Sequence, residues 1–253
     1  MKVLLPLLIV AGLLGVWELY AQGGAVDDFI LPAPSEVAQA LVDDRSLLWD
    51  NFLVTATEVG LGILVALVLG ALLAVVIHVS PVLRHALYPL LVGSQAVPIV
   101  IVAPLLVVWF GFGIVPKLAI IALVCFFPVV VTTLDALASV DPEQRKLMRT
   151  LDAPRLQELR LVEAPAALPG ALSGAKIAVA IAVIGAVFAE YAGSSEGLGN
   201  VILQATPQLE TARAYAAVVL LALLAISLFL LLTLAERVLV PWARRDTEWS
   251  TRR

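Results

Sequence analysis

Six stretches of the chain run for roughly 20 or more mainly apolar residues each. They lie at about 3–20, 52–78, 83–110, 115–138, 168–191 and 212–242. An α-helix of that length crosses a bilayer core of about 30 Å. No water is available in lipid to satisfy backbone polar groups, so spans of this kind must be helices unless a barrel closes. The expected fold class is therefore all-α: a polytopic transmembrane helical bundle of about six spans. A soluble domain carries about 25% charged residues; here 14% are charged and 61% are hydrophobic. That excludes a soluble core and intrinsic disorder together. The net charge of −4 and isoelectric point near 5.2 leave no basic field for nucleic acid. A single cysteine, Cys125, excludes a disulfide framework.

The first stretch has the look of a cleavable leader. It lacks a small-x-small cleavage site before polar sequence, and Trp17 and Tyr20 suit an interfacial anchor, so it is read as a span. Prolines interrupt the third stretch at Pro98 and Pro104 and the fourth at Pro128. Freed carbonyls inside a membrane must be met by protein or a wet cavity, which places these two spans near a pathway.

An even number of spans puts both termini on one side. Loop 139–163 carries Arg145, Lys146, Arg149, Arg155 and Arg160, and the tail carries Arg237, Arg244, Arg245, Arg252 and Arg253. With Lys2 and Arg84 these make twelve of the sixteen basic residues. The positive-inside rule makes that side cytoplasmic. Arg45, Lys117 and Arg213 fall on the opposite side, and Lys176 lies within the fifth span. Segment 22–51 is external and acidic, with Asp27, Asp28, Glu36, Asp43, Asp44 and Asp50. The expected divisions are residues 1–51 (first span and external segment), 52–242 (the core, with a cytoplasmic loop at 139–167) and 243–253 (a cytoplasmic tail).

That loop is more than a connector. Asp141-Pro142 reads as a helix start, an N-cap followed by proline at the first helical position. Asp152 and Pro154 signal a second start. Leu156, Leu159 and Val162 then recur at threes, one narrow apolar edge beside Arg155, Gln157, Glu158, Arg160 and Glu163. Such a helix can lie on lipid, pack on its own bundle, or insert into a partner's groove.

These features resemble the permease subunit of a bacterial ATP-binding-cassette (ABC) importer of type I. The family pattern in this loop is an acidic-Ala-Ala triplet, three residues, a glycine, then about a dozen residues to a proline. By spacing these fall on Lys146-Leu147-Met148, Asp152 and Pro165; the triplet and the glycine depart from the pattern. Further residues resemble the branch importing nitrate, sulfonates, taurine and thiamine-precursor pyrimidines. They are Leu31-Pro32-Ala33-Pro34-Ser35, Gln95-Ala96-Val97-Pro98, Ala103-Pro104-Leu105, Trp109-Phe110-Gly111-Phe112-Gly113, Pro116-Lys117, Phe188-Ala189-Glu190-Tyr191 and Gly197-Leu198-Gly199. Within that branch, Ser94-Gln95-Ala96-Val97-Pro98 and Cys125-Phe126-Phe127-Pro128 lean towards permeases for pyrimidines or related heterocycles, with sulfonate, taurine or nitrate as alternatives.

The resemblance implies a type I permease fold in the bacterial inner membrane with both termini cytoplasmic. It implies a homodimer on two ABC ATPase subunits, fed by an extracytoplasmic solute-binding protein. It assigns ATPase coupling to Arg149, Asp152, Arg155, Leu156, Leu159, Val162 and Pro165; the few polar, aromatic and kink positions within the spans make Ser94, Gln95, Pro98, Phe126 and Glu190 the candidates for the substrate pathway. The chain itself is expected to be non-catalytic and without cofactor. None of its lysines follows a glycine, so no phosphate-binding loop exists, and ATP and magnesium belong to the partner ATPase.

Several residues admit two readings. Gln95 suits a gate or an interhelical hydrogen bond, and Glu190 a pathway or a structural cap. Phe126 and Phe127 suit stacking on a flat ring or packing on lipid and core. In the fifth span Gly170, Gly174, Ala178, Ala182 and Ala186 recur at fours, a stripe that fits close packing within one protomer or a dimer interface. A similar stripe runs through Ala66, Gly70 and Ala74. Lys176 is placed to snorkel. Asp135 reads as interfacial, His78 and His85 as interfacial rather than metal-binding, and Cys125 as a packing residue. An ion-driven secondary transporter would show inverted repeats and midplane charges, and a scaffold protein would need no kinked third span.

Overall fold

The computed structural model describes residues 4–24, 26–27 and 29–242. Lys2, Asp28, Arg244, Arg245, Arg252, Arg253 and the expected tail 243–253 lie outside them. The described residues are helical almost throughout, with no strand among them. In chain order the helices are α1 (Leu4–Gln22), α2 (Pro34–Asp43), α3 (Arg45–Val79), α4 (Pro81–Ser94), α5 (Ile99–Phe110), α6 (Ile114–Ala138), α7 (Pro142–Thr150), α8 (Arg155–Glu158), α9 (Ala164–Gly193), α10 (Leu198–Ala205) and α11 (Thr211–Leu239). A π-helical turn, Leu159–Glu163, joins α8 to α9 without a break.

Five helical runs are long and apolar enough to cross a membrane: α1, α3, α6, Arg155–Gly193 and α11. The third expected span is different. It is broken into α4 and α5, which bend by 101° from one another. Pro98 explains the break: its backbone is extended (φ −65°, ψ 122°), and a proline steers the residue before it away from helix. At 1.5 Å per residue the 35 residues of α3 reach about 52 Å, well beyond a 30 Å core. The ends of α3 therefore stand in the interfaces or in water.

The described residues form two compact units. In the unit built from 58–189 and the chain after 225, α6 is central. Its buried face carries Ile120, Ile121, Cys125, Val129, Val130, Leu134 and Leu137. Glycines let two neighbours approach it. A methyl group at Gly70 of α3 would lie 2.8 Å from Val129 Cγ1, and one at Gly174 of α9 would run into the Thr132 hydroxyl. The Cys125 thiol donates to the Ala178 carbonyl at 3.3 Å. Both small-residue stripes therefore pack against α6 within one protomer. Ala74, Ile77, Leu91, Val130 and Leu134 form a buried cluster, with Phe126 and Phe127 against it. Pro128 costs α6 a hydrogen bond, and Thr132 Oγ1 donates to the Pro128 carbonyl at 2.6 Å.

Two charges in this unit sit differently from expectation. Lys176 does not snorkel free; it is ion-paired with Glu236 of α11. Lys117, expected among the external charges, is buried and paired with buried Glu58 of α3 at 2.5 Å. A lone charge in an apolar bundle is costly, so each requires its partner.

The other unit comprises residues up to 57 and 190–224. Trp17 of α1 tilts against Tyr215 of α11, with ring centroids 5.9 Å apart. Asp44, just after α2, receives Arg213 through Nε at 2.6 Å and Nη2 at 3.1 Å. Glu190 lies at the end of α9 with none of its surface exposed.

Candidate functional site

The loop between α6 and α9 is built by its capping residues. The Asp141 carboxylate accepts from the Glu143 amide at 2.8 Å, capping α7, and Pro142 fills the first helical position. After α7 the chain turns sharply. The Ala153 amide reaches back to the Met148 carbonyl at 3.1 Å, and Asp152 takes a left-handed backbone with φ +53°. Only glycine does this without strain, with Asp and Asn the best tolerated substitutes. The glycine of the family pattern thus has a physical meaning here: the position needs positive φ, and aspartate supplies it. Pro154, extended, then starts α8.

The single apolar edge expected through Leu156, Leu159 and Val162 does not form. Leu156 is 72% exposed, but Leu159 and Val162 are half-buried. The π-helical turn is the reason: an extra residue in the turn rotates the following positions out of register. The exposed apolar side chains are instead Leu147, Leu151, Leu156 and Leu161. Arg149 is exposed on α7, and Pro165 is half-buried in the first turn of α9.

Behind this surface lies a charged cluster. Glu163 is fully buried, and three cationic or hydrogen-bonding groups surround its carboxylate. Arg145 Nε is 2.9 Å from Oε1, Arg155 Nη1 is 3.0 Å from Oε1, and His78 Nε2 is 3.1 Å from Oε2. Arg155 also pairs with buried Glu158 at 2.9 Å. Arg145 donates through Nη2 to the Leu137 carbonyl at 2.6 Å, tying α7 to the end of α6. One buried carboxylate thus joins α3, α7, α8 and α9.

The expected pathway residues divide into separate groups. Ser94, Gln95 and Pro98 are exposed together at the α4–α5 break; Ser94 Oγ donates to the Leu91 carbonyl at 2.7 Å. Phe126 is half-buried beside Leu91 and Val130. Glu190 is engaged in its own unit. Its carboxylate accepts from Thr55 Oγ1 at 2.6 Å and from the amides of Gly199 and Asn200 at 2.5 and 3.3 Å, at the start of α10. Its Gly197 neighbour has φ +106° and leaves no room for a side chain against the carboxylate. The geometry is that of a buried helix cap, the second of the two readings above.

Residues 66–245 match the family model described as the binding-protein-dependent transport system inner membrane component. The chain belongs to that family. This permease is 38% identical to a probable ABC transporter permease protein of Haemophilus influenzae, over 90% of this chain and 93% of that one. It is 33% identical to the formylaminopyrimidine transport permease protein ThiX of Halalkalibacterium halodurans, covering 95% of this chain and 96% of that one. It is 36% identical to the riboflavin transport system permease protein RibX of Chloroflexus aurantiacus, covering 91% and 87%. A solved structure of the inward-facing MetNI methionine ABC transporter shares the fold, with a TM-score of 0.61 at 20% identity, over 77% of this chain and 95% of that one. The permease is thus a multi-pass membrane protein, a transport subunit rather than a catalytic one.

Sequence reasoning found the permease's loop but not its charged cluster. Glu163 and Arg155 stand in that loop as polar positions of an amphipathic helix. His78 lies 85 residues before Glu163, and no local pattern connects them. The available signal was a mismatch: Glu163 sits at the foot of a long apolar run, where an unpaired carboxylate would be costly. Thr55 and Glu58 were missed for the same reason.

Proposed function

We propose that this permease carries a small nitrogen heterocycle of the thiamine-precursor pyrimidine kind into the cytoplasm. It works as a homodimer on two ABC ATPase subunits, which hold the ATP and magnesium, and a solute-binding protein outside delivers the ligand. The observation carrying the substrate class is the pair of heterocycle permeases matched over more than nine-tenths of this chain, ThiX at 33% and RibX at 36% identity. The basic loop and the basic residues after α11 support an inner-membrane orientation with both termini inside.

Exposed Leu147, Leu151, Leu156 and Leu161 are the apolar surface that docks on the ATPase. Asp152 sets the turn that presents it, Arg149 borders it, and Arg155, Leu159, Val162 and Pro165 anchor it to the bundle. ATP-driven closure of the ATPases moves this surface; because it is continuous with α9, the motion reorients the bundle and opens the cavity outward, and hydrolysis resets it. Ser94, Gln95 and Pro98, at a broken span where backbone groups are freed, line the route together with Phe126. Glu190 acts as a cap that holds the outer segment.

The test is uptake into proteoliposomes holding the complete transporter. Labelled formylaminopyrimidine should accumulate only with ATP and the loaded binding protein. Accumulation driven by an ion gradient without ATP would sink the reading, and accumulation of taurine or a sulfonate instead would reassign the solute.

A further inference from the structure

His78 stands in the last turn of α3, with two partners for one atom. Its Nε2 lies 3.1 Å from Glu163 Oε2 and 3.2 Å from Arg155 Nη2. These contacts exclude each other. With the proton on Nδ1, Nε2 accepts from Arg155 and turns a lone pair on the Glu163 carboxylate. With the proton on Nε2, the ring donates to Glu163 and meets the Arg155 N–H donor with another donor. The two partners differ in how they are held. Glu163 is fully buried and fixed by Arg145, which is itself tied to Leu137. Arg155 is 41% exposed on its side chain and is adjacent in sequence to Leu156, the most exposed of the loop leucines.

We propose that His78 is a positioning residue of transport, a two-position relay between the ATPase-docking helix α8 and the membrane helix α3. The proposal rests on the reading that α7 and α8 dock on an ATPase. When docking draws Arg155 Nη2 off the ring, the neutral imidazole changes tautomer, Nδ1 releasing its proton to solvent as Nε2 takes one from solvent and donates to Glu163; when Nη2 returns, the exchange reverses and Nε2 accepts from it again. Arg155 takes a counter-ion with it, since its Nη1 also pairs with Glu158 one turn along the same helix. The end of α3 therefore has two discrete hydrogen-bonded positions, each selected by where α8 stands. A bistable contact of this kind passes a displacement on, where a single permanent bond would only resist it.

The relay and a plain structural bond predict opposite results for His78→Gln. A glutamine amide donates to Glu163 through nitrogen and accepts from Arg155 through oxygen at the same time. It keeps both bonds and removes the alternation. The measurement is basal ATP hydrolysis by the permease–ATPase complex in nanodiscs, with subunit ratio read by gel; no solute is needed. The relay predicts that H78Q binds the ATPase in the wild-type ratio while hydrolysis falls at least fivefold. It predicts that His78→Leu, with neither bond, hydrolyses at or above the wild-type rate. H78Q hydrolysing at the wild-type rate overturns the relay and leaves the docking assignment standing. H78Q failing to assemble also overturns it, since both bonds are available. A wild-type permease that retains no ATPase removes the docking assignment itself.

Discussion

Replacing Leu151 and Leu156 together by serine tests the docking surface directly. The two side chains are 68% and 72% exposed. Fully burying a leucine is worth about 1.5–3 kcal/mol, so burying what remains exposed is worth about 1–2 kcal/mol each. The pair then contributes about 2–4 kcal/mol per docking site, roughly 30- to 1,000-fold in Kd. Serine removes this area without placing a charge at the end of α7, where an added aspartate would oppose the helix dipole. Leu159 is unsuited to the test, because it is half-buried and its loss would disturb the bundle. Exposed substitutions of this kind change folding stability by about 0.5 kcal/mol or less. The double variant should therefore reach the membrane and elute as wild type by fluorescence-detected gel filtration. It should lose a co-expressed, affinity-tagged ATPase on purification, and ATP-dependent uptake with it. An ATPase retained at wild-type stoichiometry with unchanged uptake would refute the assignment of this surface.

Three further outcomes follow from the packing. Glu190→Ala strips a partner from the Thr55 hydroxyl and the Gly199 and Asn200 amides, which should cost about 2–5 kcal/mol; thermal unfolding in detergent should fall by roughly 5–15 °C, with E190Q between. Gly174→Ala drives a methyl group into Thr132 and should destabilise by about 1–3 kcal/mol; adding Thr132→Ala should restore most of the loss in the same assay. Glu58→Leu leaves Lys117 without its buried counter-ion and should cost about 3–5 kcal/mol; the double variant with Lys117→Met should be more stable than E58L alone, and equal melting temperatures would count against the pairing.

Hydropathy alone marked each long helix, because crossing lipid leaves the backbone no other choice, but it began α3 at about 52 where the helix starts at Arg45, and α9 at about 168 where it starts at Ala164. It also marked the interruption at Pro98, since proline acts locally. The 101° bend was not legible, because the angle between α4 and α5 is fixed by what each packs against. The small-residue stripes were visible as spacing, yet their partner was open until α6 was seen to present Val129 and Thr132 to them. In the loop, Asp141 and Pro142 marked the start of α7, since each acts locally, whereas Asp152, read as a second start, is the left-handed turn residue, and Pro154 stands just before α8 rather than within it. The outward face was misjudged because a period of 3.6 was carried through a turn that does not keep it. The cluster around Glu163 was invisible because its members come from α3, α7, α8 and α9, brought together only by folding.

The π-helical turn also acts as a one-residue offset in the gearing between α8 and α9. Each residue of an α-helix advances about 100° around the axis. Deleting one residue from 159–163 would restore regular winding, yet would swing Leu156 and Arg155 about a third of a turn relative to α9. The helix would be locally sounder and its exposed leucine aimed elsewhere. The direction in which this permease presents Leu156 is thus set by a count of residues in a single turn.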